Sequence, residues 1–149
     1  MKTADLVSDG RNNYVNGLIE YAVFHKNQAE PVKSLPQSDP VGERVGMILV
    51  DATCTIMPER HADFISEVRD IIPVVRKEPG CIRYELVADV HVPGVFHFIE
   101  EWESQKHLDE HIQKPHMRAY FAKTSPWHSA PAELKIYAIL SSRSVMMND

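Results

Sequence analysis

The chain has 149 residues, of which 44% are hydrophobic and 25% are charged, with a net charge of -5. This length suits one domain with its own hydrophobic core. The acidic balance argues against nucleic acid or an acidic membrane as a partner, and no apolar run approaches the roughly 20 residues that span a bilayer. The two cysteines, Cys54 and Cys81, are typical of reduced thiols, so we expect a cytoplasmic protein.

The first 43 residues are interpreted as an N-terminal arm that precedes a domain at residues 44–149. Apolar side chains recur at helical spacing within residues 13–25, which predicts an amphipathic helix. Three prolines, Pro31, Pro36 and Pro40, then indicate an extended linker. Such a helix needs a surface to cover, either in its own subunit or in a partner, and the sequence leaves both open.

The domain begins with a strand and a helix. Residues 45–56 are rich in β-branched and apolar side chains, which predicts a strand. Pro58 then suits a first helical position, and apolar side chains at helical spacing over residues 64–75 predict a helix. We expect Pro73 to kink this helix or end it early. The Glu78-Pro79-Gly80 sequence stops it.

A hairpin is predicted next. Residues 81–90 alternate, with Ile82, Tyr84, Leu86 and Ala88 on one face of the strand. Residues 91–94 form a turn, and residues 95–102 form the returning strand.

Two short helices and a last strand complete the domain. Ser104 is a suitable N-cap for a helix over residues 105–113, and Pro115 breaks that helix. A second short helix over residues 116–123 and a strand over residues 133–142 follow.

The resulting order, β-α-β-β-α-β, predicts an α+β fold: a ferredoxin-like antiparallel sheet with its helices on one face. Apolar side chains also occur on the other sheet face, which therefore needs a cover. Pairing of two such faces in a homodimer is the economical answer.

Two stretches of this sequence resemble the antibiotic biosynthesis monooxygenase family. One is residues 78–86, with the sequence EPGCIRYEL; the other is Glu100-x-Trp102-x-Ser104, followed by Leu108, His111 and Pro115-His116. The resemblance covers residues 44–142 and implies a dimeric α+β barrel with a pocket between sheet and helices. Members include cofactor-independent oxygenases of phenolic or quinol substrates, haem-degrading enzymes and an isomerase, so the fold alone does not decide the function.

Cofactor-independent oxygenation needs a base, a dry aromatic pocket and donors for a developing oxyanion. His111 and His116 are the candidate bases, and Glu100 is a candidate catalytic group that orients a histidine or pairs with Arg83 or Lys135. The candidate substrate-binding residues, each of which also suits the core, are Trp102, Phe98, Tyr84, Met117 and Phe121.

Neither a metal nor another cofactor is expected. His107 and His111 stand four residues apart, which suits a metal, but no third ligand follows at a compelling spacing. The haem-degrading branch of the family uses an asparagine on the first strand, and residues 45–56 contain none.

The sequence therefore predicts a cofactor-free monooxygenase acting on a small phenolic or quinol-type substrate. Two alternatives stay open. One is an isomerase or tautomerase of a small hydroxy-ketone in the same pocket, and the other is a non-catalytic small-molecule binding module.

Overall fold

A computed structural model describes residues 46–147 of the chain. The N-terminal arm predicted for residues 1–43, with its helix and linker, lies outside the described residues. Within them are four strands and three α-helices: β1 (Ile48–Thr55), α1 (His61–Val75), β2 (Cys81–Ala88), β3 (Val95–Trp102), α2 (Gln105–Gln113), α3 (Pro115–Thr124) and β4 (Glu133–Ala138). Short 3-10 turns at Pro58–Arg60 and Ser125–Trp127 precede α1 and follow α3. None of the helices in this part of the chain is both long and apolar enough to cross a bilayer.

The strands form one antiparallel sheet in the order β2-β3-β1-β4. The two central strands, β1 and β3, pair along their full length from Ile48 opposite Trp102 to Thr55 opposite Val95. The predicted ferredoxin-like α+β fold is confirmed by this strand order and by the helices that connect the strands.

Element boundaries agree where a local signal marks them. Strand β3 and helix α2 begin and end at the predicted residues, whereas β1, β2 and β4 are shorter than predicted. Pro73 does not end α1 early, because the helix continues to Val75 and the proline lies in its last turn. Pro115 separates α2 from α3 and is also the first residue of α3, a position at which its missing N–H costs nothing.

One face of the sheet, the inner face, packs against the helices. The alternation along β1 and β3 sends every second side chain inward, and these residues are buried. The Phe64 ring of α1 lies 5.3 Å from Phe96 and 6.3 Å from Phe98, and Phe98 lies 6.4 Å from Tyr120 of α3. These aromatic contacts hold the helices over the sheet.

The opposite sheet face, the outer face, carries a mixture of apolar and charged side chains. Leu49 and Ile99 are half-buried on the central strands, and Val87 and Tyr137 are exposed on the edge strands. Charged groups lie among them, for example Arg83, which contacts Glu85 at 2.8 Å and Glu101 at 3.5 Å. Within residues 46–147, no helix packs on this face.

Candidate functional site

The site begins at the turn between α1 and β2. Gly80 adopts φ +79°, and a Cβ built on it would lie 2.1 Å from Cγ of His107. Both the backbone conformation and the close approach of His107 require glycine. The Glu103 N–H donates to the Gly80 carbonyl at 2.8 Å, which ties the turn to the start of α2.

Helix α2 lies against this turn in a register that its N-cap fixes. The Ser104 side chain accepts from the His107 N–H at 3.3 Å, and its hydroxyl lies 3.0 Å from His107 Nδ1. His107 and His111 are four residues apart and therefore share a helix face. His107 contacts Gly80, and one helical turn further on His111 meets Glu78.

The Glu78 carboxylate joins two histidines. Its Oε2 lies 3.0 Å from His111 Nδ1, and its Oε1 lies 2.5 Å from His116 Nε2. The side chains of Glu78 and His111 are only 6% and 3% exposed, whereas His116 at the start of α3 is 30% exposed. The carboxylate therefore links a buried imidazole to one that a ligand can reach.

The charge state of Glu78 follows from this geometry. Burial alone raises the pKa of Glu78, but the hydrogen bonds and charges of His111 and His116 outweigh it, so the net pKa is lowered. Because Glu78 is an anion that accepts from both rings, the nitrogens facing it carry hydrogen: Nδ1 of His111 and Nε2 of His116. In neutral His116 the lone pair is then on Nδ1, which has no side-chain hydrogen bond among residues 46–147.

His111 is packed between aromatic side chains of the sheet. Its ring centroid lies 4.6 Å from that of Trp102, with a tilt of 35°, and 5.5 Å from that of Tyr84. Trp102 is fully buried, and its Nε1–H donates to Glu100 Oε2 at 2.9 Å. A chain of contacts therefore runs from Glu100 in the interior, through Trp102, His111 and Glu78, to His116 at the surface.

Glu100 does not pair with Arg83 or Lys135, which was one of the two roles expected for it. Both of those residues lie on the outer face, where Arg83 bonds Glu85 and Glu101 and Lys135 stands opposite Asp51. Glu100 points to the inner face, and its side chain bonds Trp102 instead. Burial raises the pKa of Glu100, and this effect exceeds the opposing effects of the His111 charge and the Trp102 hydrogen bond.

The structure brings the predicted catalytic residues together but leaves their roles as predictions. His111 and His116 meet at Glu78, and Glu100 lies behind them. The predicted substrate-binding residues are all buried between sheet and helices, where they belong to the same core: Tyr84, Phe98, Trp102, Met117 and Phe121.

Glu78 was not predicted as a site residue, although it begins both the helix-ending Glu78-Pro79-Gly80 sequence and the family-like stretch at residues 78–86. Its two partners lie 33 and 38 residues away, too far for any local spacing to reveal.

His111 Nδ1 faces Glu78 and His107 Nδ1 faces Ser104. In the described part of the chain, no group of three or more histidine, cysteine or acidic residues is arranged to hold a metal ion. Burial raises the pKa of Cys54 to about 12 and that of Cys81 to about 11, so neither thiol is an activated nucleophile.

The model of the antibiotic biosynthesis monooxygenase family matches residues 47–123, which span β1 to α3 and include the whole Glu78–His111–His116 cluster. The chain belongs to this family.

The chain is similar to several known proteins. YgiN of Escherichia coli K12, a probable quinol monooxygenase, is 34% identical over 84 residues, which cover 50% of this chain and 81% of YgiN. An uncharacterised Synechocystis protein, sll1783, is 32% identical over 98 residues, covering 66% of this chain and 67% of its own length. A crystal structure of a conserved protein from Methanosarcina mazei Go1 superimposes with a TM-score of 0.61 at 29% identity, covering 63% of this chain and 93% of that protein.

Proposed function

We propose that this protein is a cofactor-independent monooxygenase of a small phenolic or quinol-type substrate, with His116 as its base. The observation that carries the proposal is the Glu78 carboxylate held between two imidazoles, one buried and one exposed. The family and the name of the relative YgiN support an oxygenase of this substrate class.

The geometry suits removal of a proton from a substrate hydroxyl. His116 uses Nε2–H to bond Glu78, so its Nδ1 lone pair accepts the substrate proton, and the Glu78 anion stabilises the imidazolium that forms. His111 is a positioning residue, because its Nδ1–H fixes the second oxygen of Glu78. Its burial beside Trp102 keeps it from touching a substrate that reaches His116 from the surface.

The reaction needs no external reductant. A quinol and dioxygen give a hydroxylated quinone and water, so the quinol supplies all four electrons that reduce dioxygen. One oxygen atom enters the product, and the other leaves as water. The proton that His116 removes from the quinol hydroxyl is returned to the departing oxygen.

Oxygen uptake with a 1,4-naphthohydroquinone tests this proposal. His116→Ala should lower kcat/KM by about 100-fold or more, the scale of a lost general base. His91→Ala is the control, because His91 is exposed in the turn between β2 and β3 and lies on neither the Glu78 cluster nor the outer sheet face; it should keep the wild-type rate. Full activity of His116→Ala would exclude His116 as the base. Turnover of a hydroxy-ketone without oxygen would support the isomerase instead.

We also propose that the protein acts as a cytoplasmic homodimer whose outer sheet faces pack together as an α+β barrel. This face carries apolar side chains that a second copy would cover, namely Leu49, Val87, Ile99 and Tyr137. Ile99→Glu should convert the dimer to a monomer in analytical ultracentrifugation, whereas Val74→Glu, at an exposed position on α1, should leave the dimer intact. A wild-type monomer at micromolar concentration would contradict this assembly.

A further inference from the structure

The interior of the domain holds a second carboxyl group, Glu100, that the base chemistry of His116 does not use. Glu100 lies in the middle of β3 on the inner face, between Val50 of β1 and Tyr84 of β2. The residue is 6% exposed. An acidic side chain is rarely buried to this extent without a cationic partner.

Within the described residues, no cationic side chain is hydrogen-bonded to Glu100. Its side chain makes one hydrogen bond among residues 46–147, at Oε2, where the Trp102 N–H donates. The second oxygen, Oε1, has no partner there and is not fully buried. One oxygen is thus fixed as an acceptor, and the other is open to a ligand.

Burial and the Glu78 charge raise the pKa of Glu100, whereas the His111 charge and the Trp102 hydrogen bond lower it, and the net pKa is raised. Among residues 46–147, the titratable groups that face Glu100 are Cys54 of β1, Cys81 of β2, Glu78 of the turn, His111 of α2 and Tyr120 of α3. Burial raises the pKa of both thiols and that of the Tyr120 hydroxyl, so these three groups are neutral, and Glu78 is an anion. His111 is the only basic group of the set, and its Nδ1–H is already committed to Glu78.

We propose that Glu100 is a further substrate-binding group, a neutral carboxylic acid whose Oε1–H donates a hydrogen bond to an oxygen atom of the substrate. The hydrogen is on Oε1 because Oε2 accepts from Trp102. A ligand oxygen that reaches Oε1 would accept this hydrogen.

This inference rests on the proposed function for the type of ligand, a phenolic or quinol compound. His116 removes a proton from one substrate oxygen, and Glu100 stabilises negative charge on a second substrate oxygen without giving up its own proton. The substrate class narrows to compounds with two separated oxygen atoms, one hydroxyl to be deprotonated and one acceptor.

Anaerobic calorimetry measures ligand binding in the absence of turnover, so it tests the role of Glu100 independently of the reaction. The probes are 1,4-naphthohydroquinone and naphthalene, which has the same rings and no oxygen. Glu100→Leu should weaken quinol binding by about tenfold, the value of one such hydrogen bond, and leave naphthalene binding unchanged. Glu100→Gln should retain quinol affinity within about threefold, because the amide offers an acceptor to Trp102 and an N–H to the ligand.

Glu101→Gln is the matched control, since Glu101 is the next residue of β3 but lies on the outer face. It should bind the quinol like the wild type. Equal loss with quinol and naphthalene in Glu100→Leu, or no quinol binding to the wild type, would overturn the inference. Binding without oxygen uptake would leave Glu100 as a ligand donor and remove only the monooxygenase reaction.

Infrared spectroscopy gives a second measurement that does not depend on the leucine variant folding. The wild type at neutral pH should show the carbonyl stretch of a protonated carboxylic acid, and Glu100→Gln should lack it. Absence of that band from the wild type would show that Glu100 is ionised and would overturn the inference.

Discussion

Two histidine–carboxylate pairs lie on opposite sides of the same sheet and have nearly the same geometry. On the inner side, His111 meets Glu78 at 3.0 Å; on the outer side, His97 meets Asp51 at 2.9 Å. The inner pair is almost inaccessible, whereas the outer side chains are 27% and 35% exposed. Because Coulomb and hydrogen-bond energies grow as water is excluded, distance alone does not decide which pair matters.

We therefore expect the chemistry of this fold on the inner side of the sheet. The inner pair is extended by a third group, His116, and is backed by Trp102 and Tyr84, so its geometry is fixed on every side. The outer pair shares its His97 nitrogen with the Thr53 hydroxyl, 3.2 Å away, on a face without a helix in the described chain. We expect a change at the inner pair to lower the stability of the fold more than a matching change at the outer pair.

The largest loss of folding stability is expected for a substitution in the turn that carries Glu78. Gly80→Ala should lower the free energy of unfolding by roughly 4 kcal/mol, combining left-handed backbone strain with the clash against His107. Gly46→Ala is the control, because Gly46 has φ +95° but nothing within 4 Å of its Cβ position. That variant should lose only about 1 to 2 kcal/mol in urea denaturation. Equal losses would show that His107 does not clamp the turn.

A smaller loss of folding stability is expected when the Glu78 carboxylate is replaced by a neutral amide. Glu78→Gln should lower the free energy of unfolding at neutral pH by about 2 kcal/mol, because hydrogen bonds to a charged, buried acceptor are weakened. Asp51→Asn on the outer face should cost about 0 to 1 kcal/mol, as exposed pairs do. Denaturation of both variants under one condition measures the contrast directly, and equal costs would contradict it.

The same variant carries a pH prediction. The folded pKa of Glu78 is lowered, so the stability it contributes is fully present above its unfolded pKa of about 4.3 and is lost as pH falls through the folded value. The stability difference between wild type and Glu78→Gln should therefore shrink on acidification below about pH 4.3. A difference that grows in acid would reverse the sign assigned to this carboxylate.

Among the substitutions on the inner side of the sheet, the smallest loss of folding stability is expected at Trp102. Trp102→Phe keeps an aromatic ring beside His111 but removes the N–H that bonds Glu100, and it should cost about 1 to 2 kcal/mol. Trp127→Phe is the matched change at a half-buried tryptophan whose ring lies 5.7 Å from the Arg60 guanidinium. It should cost less than about 1 kcal/mol. Thermal unfolding of both variants shows whether the Glu100 bond accounts for the difference.

The sequence predicted the fold well because its signals are local. Alternation marked β3 from Val95 to Trp102, and the Ser104 N-cap and Pro115 marked the two ends of α2. The start of β4 at Glu133 was predicted, but its C-terminal end was placed at residue 142 instead of Ala138. Pairing with β1 decides where this edge strand stops, and the sequence carries no local signal for that.

The sequence predicted only part of the candidate site, because the rest depends on contacts between residues that are distant in the sequence. His111 and His116 lie in a recognisable stretch, but Glu78 becomes their partner only after the turn at Gly80 docks on α2. Of the two roles expected for Glu100, orienting a histidine or pairing with Arg83 or Lys135, the pairing is not seen. Sequence spacing does not show that the Arg83 and Lys135 side chains lie on the other face of the sheet.

The central claim is that Glu78 holds His116 by Nε2–H and leaves Nδ1 as the basic atom. Long-range proton–nitrogen NMR of the wild type, with Glu78→Gln for assignment, reports the imidazole tautomer directly. We predict that neutral His116 carries its hydrogen on Nε2 and that neutral His111 carries its hydrogen on Nδ1. A neutral His116 with its hydrogen on Nδ1 would contradict the account, because the atom proposed as the base would then have no lone pair.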